Sequence, residues 1–317
     1  VLIAVTALAA YHNSFSGEFT LDDFDAIKDN VTIRQLWPLG PILSPPDDAG
    51  VGGRPIANLS LAINYAISGT EVWSYHVLNL LIHIGTALTL WGVVRRTLLL
   101  PNLKGQHGRT AHPLALGTAL LWSVHPLLTA AVDYLSQRTE LLMSLCYLLT
   151  LYSFIRSLSP GSRGWRVTAV IACTLGMACK EVMVTAPFMV LVYDRTYVAN
   201  SWREAWRARR GLHLALATTW LVLAYLMITS PLTERGVGFG RGVTSWDYAL
   251  TECRAVLIYL RLALWPEPLV FDHGWPFLTG SAAVPFVIGL GAVLVAAALA
   301  AWRWPRAGFC LWWFFVL

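Results

Sequence analysis

At 317 residues, with 56% hydrophobic and 13% charged side chains and a mean hydropathy of +0.56, this chain is too apolar for a soluble domain and belongs in a bilayer. A net charge of +5 would suit nucleic acid in a soluble protein, but here the basic residues cluster in a few loops between apolar runs, so no nucleic-acid partner is implied. Five cysteines lie in or beside apolar runs without CxxC spacing, which argues against a disulfide framework or a zinc site.

The chain opens inside one apolar run, 1–11, and closes inside another, 308–317. Both end spans are therefore expected to be cut short, and 1–317 to be one membrane domain excerpted from something longer. Between them, apolar runs at 77–94, 114–132, 140–155, 167–179, 182–193, 212–230 and 284–301 predict further spanning helices. The stretch 249–264 carries Glu252, Arg254 and Arg261, expensive against lipid; a non-crossing interfacial or re-entrant helix is favoured over one crossing inside a bundle. The fold class that follows is an all-α polytopic membrane protein, a multi-span helical bundle.

Past the first run, Phe19-Thr20-Leu21-Asp22-Asp23-Phe24 opens an acidic segment at 12–75, too long for a simple turn. Pro41, Pro45, Pro46, Gly50, Gly52 and Gly53 act as breakers between two short helices. The second, at 54–65, suits an amphipathic interfacial helix with proline at its first position. Arg54 at its start opposes the helix dipole, so an anionic partner is expected. The Asp22-Asp23 pair has two readings: a helix cap, or carboxylates held at the membrane surface for chemistry.

Charge orients the loops. Those holding Arg95, Arg96, Lys104 and Arg109, then Arg156, Arg163 and Arg166, then Arg195, Arg203, Arg207, Arg209 and Arg210 belong on the cytoplasmic side. Segment 12–75 then faces the other compartment, with turns at 132–139, at Lys180-Glu181 and at 231–248. On that face lie His76, Asn79 and His83, one stripe at i, i+3 and i+7 that reads as a hydrogen-bonded seam in preference to a metal site. His125-Pro126, Arg138 with Glu140, and Lys180-Glu181 complete an outer-leaflet pocket of acids and cations.

A series of motifs now has to be taken together: Gly17-Glu18-Phe19-Thr20-Leu21-Asp22-Asp23 with Ile27 and Asn30, Arg54-Pro55 with Asn64-Tyr65, and Tyr75-His76-Val77-Leu78-Asn79-Leu80-Leu81-Ile82-His83. Further along come Val124-His125-Pro126, Gln137-Arg138-Thr139-Glu140-Leu141-Leu142, Cys179-Lys180-Glu181, Tyr193-Asp194, and Tyr259-Leu260-Arg261-Leu262 before Trp265-Pro266. In this order and spacing the chain, from about residue 15 onward, resembles the transmembrane and tetratricopeptide-repeat (TMTC) family of the polytopic glycosyltransferase C superfamily. One departure is clear: where the family commonly has Glu four positions after His-Pro, this chain has Ala130 or Ala131, and any role of that Glu is lost or moved, with Asp133 a candidate. The family's tetratricopeptide repeats, expected after the membrane region, are not within this sequence.

The resemblance implies a glycosyltransferase C bundle with short interfacial helices in its long extracytoplasmic first loop. It further implies transfer of a sugar, mannose or another hexose, from a polyprenyl-phosphate donor to an acceptor hydroxyl, with protein Ser or Thr the favoured acceptor and a glycan or lipid the alternative. The leaving lipid phosphate is already a stable anion, so one carboxylate base and some cations suffice, unlike the two carboxylates of a glycosidase. On this reading Asp22 is the base, and Asp23 positions the acceptor or pairs with a cation. Arg54, Arg138 and Lys180 hold donor phosphate, and Glu181 is expected to hold Lys180. His76, His83, His125 and Glu140 support the site, with Arg241, Arg254 and Arg261 as lesser candidates. No cofactor is implied, and the requirement for a divalent metal is left open. The competing class is a non-catalytic lipid-binding scaffold or transporter, against which stands the lack of inverted repeats. The sequons at Asn30 and Asn58 lie beside the proposed site, where a glycan would interfere. The compact first loop favours a bacterial inner membrane over the endoplasmic reticulum.

Overall fold

The computed structural model describes residues 1–199, 201–230, 244–271 and 273–316, and these are helical with no strand among them. The chain is an all-α polytopic membrane protein. It divides into two compact units, Val1–Arg235 and Gly236–Leu317.

The first unit begins with α1 (Leu2–Tyr11), after which the chain leaves the bundle and returns only at α4 (Trp73–Leu98). The excursion folds on itself. It holds α2 (Leu39–Leu43), α3 (Pro55–Ser68) and short turns at Phe24–Lys28 and Val31–Ile33. Ala26, Ile27, Ile33, Ile42, Val51, Ala57 and Leu61 form its buried core together with Tyr75 of α4 and Leu135. Proline at the first position of α3 costs no hydrogen bond, because the first N–H of a helix has no partner. Asn30 and Asn58, both buried, knit the segment: the Asn30 amide donates to Asn58 Oδ1 (2.9 Å), and Asn58 donates to Thr32 Oγ1 (2.9 Å) and the Ile42 carbonyl (2.8 Å).

After α4 and the short α5 (Pro101–His107) come α6 (Ala111–Ser123), α7 (Thr129–Asp133), α8 (Arg138–Ser157) and α9 (Arg163–Met177). Then follow α10 (Ala186–Tyr193), α11 (Trp202–Ala217) and α12 (Trp220–Thr229). Among the described residues, α4, the Trp202–Thr229 stretch and Gly280–Arg303 are long and apolar enough to cross a membrane, and α6 with its continuation Pro126–Asp133, bent by 52°, would make a fourth. The remaining expected runs do not form single helices that meet both criteria. The runs 167–179 and 182–193 fold as α9 and α10, of 15 and 8 residues, shorter than the roughly 17 a spanning helix needs. The run 140–155 lies in α8, long enough at 20 residues but diluted by polar side chains that it buries against its neighbours, Arg138, Thr139, Thr150 and Ser153 among them.

The basic loops converge at one end of this unit. Thr97 and Tyr193 hydroxyls meet at 2.6 Å, and Asn102 donates to the Tyr197 carbonyl. There Asp194, fully buried, accepts two bonds from Arg209 (2.7 and 2.6 Å) and faces His213 at 2.9 Å.

The second unit contains α13 (Ser245–Leu264), α14 (Val284–Arg303) and α15 (Pro305–Val316). α13 is not among the helices apolar enough to cross, in keeping with a helix that carries Asp247, Glu252, Arg254 and Arg261. Arg254 sits over the Trp275 ring at 4.4 Å, and Arg261 donates to the Glu267 carbonyl at 3.4 Å. Arg241 and most of the 231–248 turn lie outside the described residues.

Candidate active site

The two adjacent aspartates point opposite ways because of the residue before them. Leu21 is exposed yet has φ of 42°, the left-handed region that costs a non-glycine residue about 1 kcal/mol or more. The turn it makes drives Asp23 inward, where Oδ2 accepts from the Thr20 N–H (3.1 Å) and Oδ1 from the Ser136 N–H (2.7 Å). Burial holds the Asp23 carboxyl above the ordinary carboxylate range, against the lowering effect of its bonds from Thr20, Ser136 and Leu135.

Asp22 is left exposed. Its backbone N–H donates to the Tyr134 hydroxyl at 2.9 Å, and its carboxylate stands beside the same hydroxyl. The Tyr134 hydroxyl is shifted up, first by burial and then by the neighbouring Asp22 charge. Tyr134, Ser136 and Thr20 were not singled out in the sequence; their only signal is proximity to the Asp pair and to Arg138.

Gly50 connects this turn to the cations. A Cβ at Gly50 would stand 3.7 Å from the Asp22 carbonyl, and the Gly50 carbonyl accepts from Arg54 Nη1 at 3.4 Å. Arg54 also pairs with Glu181 at 3.4 Å. Lys180 pairs with Glu140, the acid in the first turn of α8. Where the sequence leads one to expect Glu181 to hold Lys180, the structure pairs Lys180 with Glu140 and Glu181 with Arg54. The Ile56 N–H donates to the Ala178 carbonyl (3.2 Å), fastening the start of α3 to the end of α9 and keeping the two ion pairs adjacent. Both pairs are partly exposed, so their cations remain open to exchange of partner.

Arg138 departs from its expected place. It is fully buried, and its guanidinium donates to Asn79 Oδ1, to Asn64 Oδ1 (2.6 Å) and to the Tyr75 carbonyl (2.8 Å), with weaker contacts to Ser60. No carboxylate pairs with it among the described residues, and it offers no surface to a phosphate. The cation instead locks α3, α4 and α8 together by oxygen dipoles alone.

The expected seam on α4 forms in part. Asn79 donates to the Val132 carbonyl (3.0 Å), and His83 meets the Ser123 carbonyl (2.8 Å) while stacking on Trp122. His76 is buried with neither ring nitrogen bonded, against Gly17, where an added Cβ would stand 3.0 Å from Nε2. His125 accepts from the Leu127 N–H at 3.3 Å as a local cap. Among the described residues no group of three or more His, Cys, Asp and Glu is placed to hold a metal. Asp133 has one buried carboxylate oxygen without a hydrogen bond.

Comparison with known proteins now bears on this geometry. The family model for dolichyl-phosphate-mannose-protein mannosyltransferases matches residues 51–228, more than half the chain. The chain belongs to that family. Among curated relatives it is similar to protein O-mannosyl-transferase Tmtc2 of Drosophila melanogaster, 28% identical over 288 residues, covering 84% of this chain and 29% of the relative. Tmtc3 of the same fly is 30% identical over 217 residues, 61% of this chain and 23% of the relative. Human TMTC4 is 26% identical over 215 residues, 61% of this chain and 29% of the relative. The chain thus spans less than a third of the length of these relatives, and its place within the TMTC branch agrees with the resemblance read from its motifs. No solved structure matches. The family segment contains Arg54, Arg138, Glu140, Lys180 and Glu181, and begins after the Asp pair.

Proposed function

We propose that this protein is a membrane glycosyltransferase that moves mannose or another hexose from a polyprenyl-phosphate donor to a protein Ser or Thr hydroxyl at the extracytoplasmic face. The observation that carries the reading is the division of labour within Asp22-Asp23: one carboxylate is spent on holding the turn and its neighbour is presented outward, on a turn whose backbone packs against Gly50, the residue whose carbonyl accepts from Arg54. The names of the relatives, all protein O-mannosyl-transferases, supply the mannose and the protein acceptor.

In this mechanism the acceptor oxygen bonds to the sugar's anomeric carbon as the bond from that carbon to the phosphate oxygen breaks. The hydroxyl proton passes to the Asp22 carboxylate, and the electron pair leaves with polyprenyl phosphate. Proton transfer becomes favourable late, once the acceptor oxygen is bonding to carbon, so an ordinary carboxylate suffices. Arg54 and Lys180 exchange Glu181 and Glu140 for donor phosphate oxygens and stabilise the charge that develops on the departing group. Arg138 keeps no part in donor binding.

The test is turnover of labelled polyprenyl-phosphate mannose with a Ser/Thr-rich acceptor in detergent, following both glycopeptide and released lipid phosphate. Asp22→Asn should lower kcat by about 10²- to 10⁴-fold with the unfolding midpoint unchanged, since the side chain is exposed. Arg54→Gln and Lys180→Gln should each raise the donor KM by about tenfold or more. Undiminished turnover by D22N would overturn the assignment; lipid phosphate release coupled to a glycan acceptor alone would redirect it.

A further inference from the structure

At the opposite end of the first unit a second cationic site is built, and the transfer chemistry has no use for it. From His76 to Arg96 along α4 is twenty residues, about 30 Å at 1.5 Å per residue, which is the thickness of a bilayer's hydrocarbon core. At Arg96 the last turns of α4 and α8 run side by side. Gly92 makes this possible: a Cβ there would stand 2.7 Å from Tyr152 Cε2, so the ring packs directly against α4 at this residue. Arg96, one turn on, reaches over that ring at 5.5 Å. Arg156 also lies over it at 5.9 Å, donates to the Tyr152 hydroxyl at 3.1 Å, and sits 4.3 Å over the Trp165 ring.

Two guanidinium groups are thus oriented by aromatic faces and a phenol, with no carboxylate paired to either among the described residues. They line a cleft of about 580 Å³ together with Ser159, Ser162, Gly164 and Thr168, and no acid is among its lining. Ser162, at the N-cap of α9, turns away to donate to the Ser157 carbonyl at 2.9 Å. The helix has no side-chain cap and no acid in its first turn, so its positive end adds to the field in the cleft. Val167 and Ile171 are exposed one turn apart on α9, an apolar strip beside the mouth.

We propose that this cleft binds a phosphate-bearing anion, held by the planar forks of Arg96 and Arg156 at the N-terminus of α9. Paired guanidinium forks match phosphate oxygens better than any other common anion acceptor in a protein, and the volume suits a small headgroup. The phosphate belongs either to an anionic lipid, its chains lying along Val167 and Ile171, or to a free ion. The site is independent of the Asp22 reading and stands or falls separately.

The test uses the whole chain in phosphatidylcholine nanodiscs. Native mass spectrometry counts phosphatidylglycerol retained when that lipid is admixed, and isothermal titration follows inorganic phosphate added to discs without it. Retention of phosphatidylglycerol assigns a lipid occupant, and binding of inorganic phosphate a free one; binding of neither overturns the site. The double variant R96Q/R156Q should weaken the observed binding by tenfold or more, whereas R203Q/R207Q, on the exposed face of α11 outside the cleft, should change it less than twofold. Thr168→Glu, at an exposed lining position that leaves the fold intact, should weaken it as the double variant does. Equal losses in the two double variants, or an unchanged T168E, would reduce the site to diffuse surface charge and refute it.

Discussion

A guanidinium buried without an acid beside it fixes what can be said of Arg138. Its neighbours Asn64, Asn79 and Tyr75 come from α3 and α4, and each would lose its partner if the fork were removed. Arg138→Lys replaces five fixed donors by a compact charge that cannot reach all three oxygens, so stability should fall by about 3 kcal/mol or more. The expected result is a lowered unfolding midpoint with the donor KM of the folded fraction unchanged; a raised KM at constant midpoint would return Arg138 to donor binding. The sequence puts Arg138 with the phosphate ligands because its helix-start position on the acidic face is shared with Lys180. Its depth depends on oxygens 59 to 74 residues away in the chain, and no local pattern encodes that. Asp23 makes a pH-dependent prediction of the opposite kind from a salt-bridged acid. Its folded pKa is raised, so the native state holds its proton more tightly than the unfolded chain does. Its contribution to stability is therefore fullest below the ordinary carboxyl value near 3.8 and declines as pH rises through the raised value. The margin of wild type over Asp23→Asn in thermal midpoint should be largest below pH 3.8 and shrink as pH rises through the raised value, and a margin growing with pH would contradict the burial-driven shift.

The first loop is an element in its own right, and its tie points are amides. Asn58 joins the Asn30 turn, Thr32 and the end of α2, so Asn58→Ala leaves several buried polar groups unpaired at about 1–3 kcal/mol each. Limited proteolysis should then cut within residues 12–72 while α4 and α8 stay protected, and cleavage patterns identical to wild type would show that the apolar core alone suffices. The burial of both asparagines also removes the steric argument drawn from the sequons: Asn30 and Asn58 are inside the fold and cannot carry glycans in it. Proline at the start of α3 and the breakers at 41–53 were legible, and so was the helix they introduce. The loop's core was not. Ala26, Ile27, Ile33, Ile42 and Val51 are scattered among turn residues with neither a helical nor an alternating period, so only the folded chain reveals that they share an interior.

At the scale of the first unit, α4 and α8 run from the aspartate end to the arginine end and α9 returns, since Arg138 meets Asn79, Arg156 meets Tyr152 beside Gly92, and Lys180 meets Glu140. Composition alone gave the class, and the apolar runs gave α4, α12 and α14; the runs 140–155, 167–179 and 182–193 fall in helices that are more polar or shorter than those three spans, although Val167, Ile171 and Leu175 leave α9 an exposed apolar face. Run length reports apolarity, and it cannot distinguish a helix wrapped in protein from one wrapped in hydrocarbon. Charge still separates the ends: the loops with Arg95, Arg96, Arg156, Arg163 and Arg207 gather away from Asp22, Asp25 and Asp29. The positive-inside rule then predicts opposite accessibility for the two. In a background where the accessible thiols Cys253 and Cys310 are replaced by serine, Asp25→Cys should react with a membrane-impermeant maleimide on intact cells. Arg207→Cys should react only after permeabilisation. Labelling of both variants from one side would place the carboxylate and the basic end of the unit in the same compartment, which a helix of 26 residues joining the two ends, about 39 Å long, does not allow unless it lies outside the bilayer.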